Sequence, residues 1–144
     1  MKGLILLCCG SRYWDDKRKI EKEFDKLEKK NYEIVLVIEG EADGADKLSR
    51  AVAESRGIAV CGFFANWTYY RKTAGPIRNS KQLQFGMAVA EGSDSTPGGA
   101  GYSVRRQPFK FLVLAFHHNI QKSTGTKNMV EQARKKGAEV KIVA

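Results

Sequence analysis

The sequence lacks the cysteine spacings that build disulfide frameworks or zinc sites. Cys8 and Cys9 are adjacent, Cys61 stands alone in another apolar run, and no CxxC pair occurs. An odd number of cysteines without such spacing is typical of neither kind of protein. We therefore expect reduced thiols and a cytoplasmic location. Because successive residues of a strand point to opposite faces, Cys8 and Cys9 should be buried on different sides of a sheet.

Long apolar runs are also missing. No stretch approaches the roughly 20 residues that a membrane-spanning helix needs. The chain opens on a short apolar run that ends at Gly10-Ser11-Arg12 without the small-residue cleavage pattern of a signal peptide. We predict that this run is a buried first strand, and we expect no membrane partner.

The composition is that of an ordinary globular protein. The chain has 144 residues, of which 42% are hydrophobic and 28% charged, so it is too apolar to be disordered. We find no internal repeat and predict a single domain over residues 1–144. Residues 91–107 are rich in glycine and serine, carry no periodicity, and are predicted to form a flexible insertion.

Short apolar runs alternate regularly with amphipathic stretches. The runs predicted as strands are Leu4–Cys9, Ile34–Ile38, Ile58–Phe64, Phe111–Phe116 and Val140–Val143. About four helices lie between them, the first behind Asp15 as its N-cap and the third with Pro76 at its first position. This alternation predicts an α/β fold, a Rossmann-like doubly wound parallel sheet of about five strands with helices on both faces.

The net charge is +9, which suits an anionic partner. Many of the cations fall on predicted helix faces or helix ends, where a basic residue is solvated or complements the helix dipole. We favour a solvated basic surface that also attracts anionic small molecules. A groove for single-stranded DNA is the alternative.

In a doubly wound sheet, ligands bind beyond the carboxyl ends of the strands. The turn after the first strand, Gly10-Ser11-Arg12, offers a flexible backbone, a hydroxyl and a guanidinium for phosphate, and Trp14 could stack on a base or cover the sheet edge. The turn lacks the second and third glycines of GxGxxG, which argues against an ordinary NAD site. Ser123-Thr124-Gly125-Thr126, after the fourth strand, opens a helix and is typical of an anion site.

The turns after the second and third strands add polar side chains to the same edge. Gly40, Glu41, Asp43 and Asp46 could bind a ribose hydroxyl, whereas Asp43 could equally be a helix N-cap. Trp67, Arg78 and Asn79 would form a wall for a purine and its phosphates. No metal is expected. His117 and His118 are adjacent, so they cannot both face one metal, and we expect them to be satisfied polar side chains.

These turns, in this order, resemble the SLOG superfamily of Rossmann-like proteins, most closely its branch related to YspA and cpYpsA. The resemblance covers nearly the whole chain except residues 86–107. It implies a ligand derived from a nucleotide, with links to NAD and ADP-ribose metabolism. Relatives often form dimers through helices that flank the sheet, which leaves a homodimer open, although no predicted helix here is apolar on two faces.

The Lonely Guy phosphoribohydrolases and DprA are more distant members of that superfamily. The hydrolases carry a PGGxGTxxE signature whose glutamate works with an arginine, and Arg78 is similar to that arginine. Met129 occupies the place of the glutamate, and Glu131 lies two residues on, about 200° around the helix, so we expect it to point away from the site. Pro97-Gly98-Gly99 spells part of the same signature, but no predicted strand precedes it.

The leading hypothesis is binding of a phosphate-bearing, nucleotide-derived small molecule without turnover, and no further cofactor is required. The first alternative is cleavage or transfer at an N-glycosidic bond, with Glu39, Glu41 or Asp46 in place of the missing glutamate. The second is binding of single-stranded DNA. The residues expected to contact the ligand are Gly10, Ser11, Arg12, Trp14, Gly40, Asp43, Asp46, Trp67, Arg78, Asn79, Ser123, Thr124, Gly125 and Thr126.

Overall fold

A computed structural model describes residues 1–92 and 108–144. It contains five strands and five α-helices, with short 3₁₀ turns after the third helix and before the fifth. In chain order the elements are β1 (Lys2–Gly10), α1 (Lys17–Lys29), β2 (Tyr32–Glu39), α2 (Ala45–Ser55), β3 (Ala59–Gly62), α3 (Trp67–Tyr70), α4 (Ala74–Glu91), β4 (Lys110–Phe116), α5 (Gly125–Lys135) and β5 (Glu139–Val143).

The strands form one parallel sheet in the order β3-β2-β1-β4-β5. The central strand β1 pairs with β2 on one side and with β4 on the other, so that Leu4 lies opposite both Ile34 and Lys110. The predicted α/β fold with a five-stranded parallel sheet is confirmed. β3 is shorter than predicted and ends at Gly62.

Helices cover both faces of the sheet and produce two apolar cores. The even-numbered side chains of β1 pack with α1 and α2, where Phe24 and Val52 are fully buried. The odd-numbered side chains pack with α4 and α5, where Leu83 and Ala133 are fully buried. The alternation follows from the two-residue period of a strand that is covered on both sides.

The cysteines lie as the sequence predicts. Cys8 belongs to the core under α1 and α2, and Cys9 to the core under α4 and α5. All three cysteines are free thiols. Burial raises the pKa of Cys8 to about 12, so this thiol is held in its unreactive protonated form.

Two helix starts differ from the prediction by one or two residues. The N-cap of α1 is Asp16, whose carboxylate accepts the backbone N–H of Lys19 at 3.1 Å, so the assignment of Asp15 is wrong. Helix α4 begins at Ala74, which places Pro76 third in the helix and not first. A proline in the first turn is still tolerated, because the N–H groups of that turn have no acceptor within the helix.

The predicted insertion at 91–107, including Pro97-Gly98-Gly99, lies almost entirely outside the described residues, so its part in the single predicted domain stays a prediction. In the described ranges, no helix has the length and apolar character needed to cross a membrane.

Candidate functional site

The strand order reverses between β1 and β4, and the turns that follow these two strands flank a cleft at the carboxyl edge of the sheet. This switch point is where doubly wound folds bind ligands. The cleft has a volume of about 1020 Å³ and takes side chains from all four predicted turns. Of the residues expected to contact a ligand, every one except Trp14 lines it.

The turn after β1 is held between β4 and α2. Gly10 has a φ of +153°, and a Cβ at this position would lie 2.2 Å from the carbonyl oxygen of Phe116. The N–H of Ser11 donates to that oxygen at 2.9 Å, and the Ser11 carbonyl accepts the N–H of Ala45 at 3.0 Å. The Ser11 hydroxyl accepts the N–H of Tyr13 at 3.1 Å. Arg12 is exposed at the cleft, and its side chain has no partner among the described residues.

Trp14 is a core residue. It is 2% exposed, stacks on His118 at 4.6 Å between ring centroids, and packs against Phe116 at 5.6 Å. Its indole N–H donates to the backbone carbonyl of Asp16 at 3.0 Å. The expectation that Trp14 contacts a ligand is therefore wrong, because a ring that is almost completely buried has no free face on which a base could stack.

The turn after β2 places one buried carboxylate in the cleft. Asp46 is 5% exposed and accepts the backbone N–H of Ala42 at 3.2 Å. Burial raises the pKa of Asp46 to about 7, against the opposing effects of that hydrogen bond and of the Arg78 guanidinium. Asp43 is exposed and pairs with Lys47 at 2.7 Å. The N-cap of α2 is Gly44, so Asp43 does not cap the helix.

Glu39 and Glu41 have different surroundings. Glu39 is fully buried and accepts two hydrogen bonds from Arg50, from Nε at 3.0 Å and from Nη2 at 2.6 Å. It does not line the cleft, so its candidacy as the replacement for the missing glutamate is wrong. Glu41 does line the cleft and also contacts Arg50 at 3.3 Å. Gly62 leaves room for this cluster, since a Cβ there would lie 2.3 Å from the Arg50 guanidinium.

Helix α4 contributes two polar side chains to the cleft. Nη1 of Arg78 donates to the carbonyl of Gly40 at 3.3 Å, whereas its buried Nε has no acceptor in the described part of the chain. Asn79 is 3% exposed and donates to the carbonyl of Gly125 at 3.3 Å and to Asn128 at 3.1 Å. Asn79 therefore holds the start of α5 against α4 as well as lining the cleft.

The turn after β4 leads directly into α5. The Ser123 hydroxyl accepts the N–H of Thr126 at 3.0 Å, which closes the first turn of the helix. The N–H groups of Thr124 and Gly125 have no acceptor among the described residues. This is ordinary for the first N–H groups of a helix, which have no acceptor within the helix itself. Met129 is buried at the cleft, and Glu131 is exposed and outside its lining. The prediction that Glu131 faces away is confirmed.

His117 and His118 sit at the end of β4 with separate surroundings. Nδ1 of His117 accepts the N–H of Asn119 at 2.9 Å, and burial together with the charge of His118 lowers the pKa of His117. His118 stacks on Trp14. Within residues 1–92 and 108–144, no group of three or more His, Cys, Asp or Glu side chains is arranged to hold a metal ion.

The sequence reasoning missed several residues of the lining. Lys72 and Lys122 are exposed cations without a carboxylate partner among the described residues. Both lysines lie next to turns that the sequence had already assigned to the site, so their position in the chain could have identified them. Gln82 lies one helical turn after Arg78, and this four-residue spacing could have identified it.

Comparison with known proteins finds a matching family model and a similar solved structure. The model of the YspA, cpYpsA-related SLOG family matches residues 4–70, which include the first two turns and stop before Arg78. Among solved structures, the X-ray structure of DNA processing protein A (DprA) from Streptococcus pneumoniae is similar, with 15% identity and a TM-score of 0.46. That match covers 97% of this chain and 61% of the DprA chain, so this chain spans about three fifths of the length of DprA. No curated protein matches the chain.

The family match begins in β1 and continues through β3 to α3, and it agrees with the ordered turns from which the resemblance was inferred. Over residues 4–70, the chain is similar to the YspA, cpYpsA-related SLOG family.

Proposed function

We propose that the cleft binds a phosphate-bearing small molecule derived from a nucleotide, such as ADP-ribose, an NAD derivative or a nucleoside monophosphate. The observation that carries this proposal is the set of unpaired cations at the switch point. Arg12, Lys72 and Lys122 line the cleft, and none has a carboxylate within ion-pair distance in the described residues. Together with the helix start at Gly125, they favour an anionic ligand.

Aromatic side chains on the rim favour a ligand with a base. Tyr13, Phe64 and Trp67 line the cleft and are 85%, 71% and 53% exposed. Large aromatic rings left in solvent beside cations are suited to stacking on a planar heterocycle. The volume of about 1020 Å³ leaves room for more than a single phosphate group.

The fourth turn favours binding without turnover. Met129 presents a thioether where the hydrolase signature has its carboxylate, and Glu131 faces solvent. A protein that holds such a ligand without converting it would act as a sensor or would sequester the ligand.

Calorimetric titration with ADP-ribose and AMP tests the proposal, supported by mass spectrometry of small molecules that co-purify with the protein. We expect Arg12→Ala to weaken binding at least tenfold, because a charge-assisted hydrogen bond to phosphate is worth about 1.5–3 kcal/mol and about 1.4 kcal/mol corresponds to a factor of ten. The control is Arg18→Ala, an exposed arginine of α1 outside the cleft. Equal losses in the two variants, or no binding of either nucleotide, would contradict the proposal.

A second candidate is cleavage of an N-glycosidic bond, and one observation favours it. Asp46 lies in the cleft with its pKa raised to about 7, and a carboxylic acid in this range can give a proton to a departing base near neutral pH. Incubation with AMP, followed by chromatography for free adenine, separates the two candidates. Release of adenine that Asp46→Asn abolishes would favour the enzyme.

A further inference from the structure

Two polar groups on the floor of the cleft lack the partners that burial normally requires. Gln82 is 2% exposed and lines the cleft, and its side-chain Nε2 has no acceptor in the described residues. Nε of Arg78 is also buried without an acceptor. A buried N–H without a partner costs about 1–3 kcal/mol, so each such group in a folded protein calls for an explanation.

The Asp46 carboxyl and the Arg78 guanidinium lie next to the same point beside Gly40. Oδ2 of Asp46 and Nε of Arg78 lie 2.9 Å and 3.1 Å from the point that a Cβ would occupy at this glycine. Gln82 follows Arg78 by four residues and therefore shares its face of α4. The cleft floor thus holds two donors that need acceptors and a carboxyl group that can accept a hydrogen bond.

The chemistry of the occupant follows from this donor and acceptor pattern. A phosphate dianion only accepts hydrogen bonds, so it gives Asp46 no donor, and it would repel that carboxyl group in its ionised form. Two neighbouring hydroxyl groups satisfy all three protein groups, because each oxygen can accept an N–H while one hydroxyl donates to Asp46.

We propose that Gln82, Arg78 and Asp46 form a subsite for the vicinal hydroxyl groups of a ribose. This inference rests on the proposed function and extends it. The ribose would enter the floor of the cleft, the phosphates would meet Arg12 and the turn before α5, and the base would lie at the aromatic rim. DNA, which has no 2′-hydroxyl, does not fit this subsite.

Titration of the unmodified protein with AMP, 2′-deoxy-AMP and 3′-deoxy-AMP tests the inference without any substitution. We expect both deoxynucleotides to bind roughly tenfold more weakly, since each leaves a buried polar group unpaired. An oligodeoxynucleotide should not compete with AMP. Equal affinity for the three nucleotides would overturn the subsite but leave the proposed function standing, whereas no binding of any of them would overturn both.

Two glutamines of α4 provide a matched pair of variants. Gln82→Met should remove the preference for AMP while leaving the melting temperature of the ligand-free protein unchanged or higher, because it removes an unpaired buried donor. Gln84→Met, an exposed position outside the cleft, should keep the preference. A preference that persists in Gln82→Met, or a fall in its melting temperature to match the loss of affinity, would assign Gln82 a structural role and overturn the proposal.

Discussion

At Asp46, burial and a neighbouring charge have opposite effects on the pKa of one carboxyl group: burial raises it and Arg78 lowers it. The folded-state pKa of Asp46, about 7, lies above the ordinary value, so the folded protein holds this proton more tightly than the unfolded chain does. The stability that the protonated carboxyl allows is fully present below the unfolded pKa and is lost as the pH rises to 7. The other groups that act on this carboxyl are Arg78, which favours its charged form, and Glu39, which opposes it.

We expect Asp46→Asn to gain stability relative to the unmodified protein as the pH rises from 5 to 8, by on the order of 2 kcal/mol. Asparagine can still accept the N–H of Ala42 and carries no charge. Urea unfolding of both proteins at the two pH values measures the difference. Asp43→Asn is the control, because Asp43 is exposed and Lys47 holds its pKa below the usual range. A pH-independent difference for Asp46→Asn would show that burial of this carboxylate carries no cost.

At the scale of elements, the first two turns support each other through Gly44. This residue has a φ of +76°, and a Cβ there would lie 2.3 Å from the carbonyl oxygen of Ser11. We expect Gly44→Ala to lower the free energy of unfolding by about 2–4 kcal/mol, because strain in φ is added to a clash with backbone that cannot rotate away. Affinity for ADP-ribose should fall with it, since the turn that presents Arg12 has to move.

A substitution at Gly57 distinguishes strain in φ from the clash with the Ser11 backbone. Gly57 has a φ of +69°, but nothing lies within 4 Å of a Cβ at that position. Gly57→Ala should therefore cost only about 1–2 kcal/mol in φ strain and leave the affinity unchanged. If urea unfolding gives the same loss for the two variants, the contact between the turns contributes nothing.

At the scale of the whole molecule, we expect ligand affinity to depend more on where the positive charges lie than on the net charge. Lys29 and Lys30 are exposed at the amino edge of the sheet, and the eight residues of β2 separate them from the cleft by about 25 Å. That distance exceeds the Debye length of about 8 Å at physiological ionic strength.

Two double variants with the same net charge test this point. Replacing Lys29 and Lys30 with glutamate takes the net charge from +9 to +5, two units for each residue, and so does replacing Lys72 and Lys122. In 0.15 M salt we expect the first pair to change the affinity for ADP-ribose less than twofold, and the second to weaken it at least tenfold. Equal effects would mean that the overall charge attracts the ligand.

The sequence by itself determined the alternation of strands and helices, the five-stranded parallel sheet and the edge at which the four turns meet. These follow from local periodicity: the two-residue period of β1 buries Cys8 and Cys9 on opposite faces, and ligand turns come after strands. Residues within a turn, such as Arg12 and Ser123, could be assigned to the cleft because chain order places them there.

Only the tertiary structure decided which side chains reach that cleft. Trp14 and Glu39 were expected near it on sequence position alone, but Trp14 is packed under His118 and Glu39 is held by Arg50, which comes from another element. Gln82 was not expected at the site but lines the cleft, because α4 packs over the switch point with the face that carries Gln82 toward the end of β1. Burial and pairing are set by contacts between residues far apart in the chain, and no local pattern encodes them.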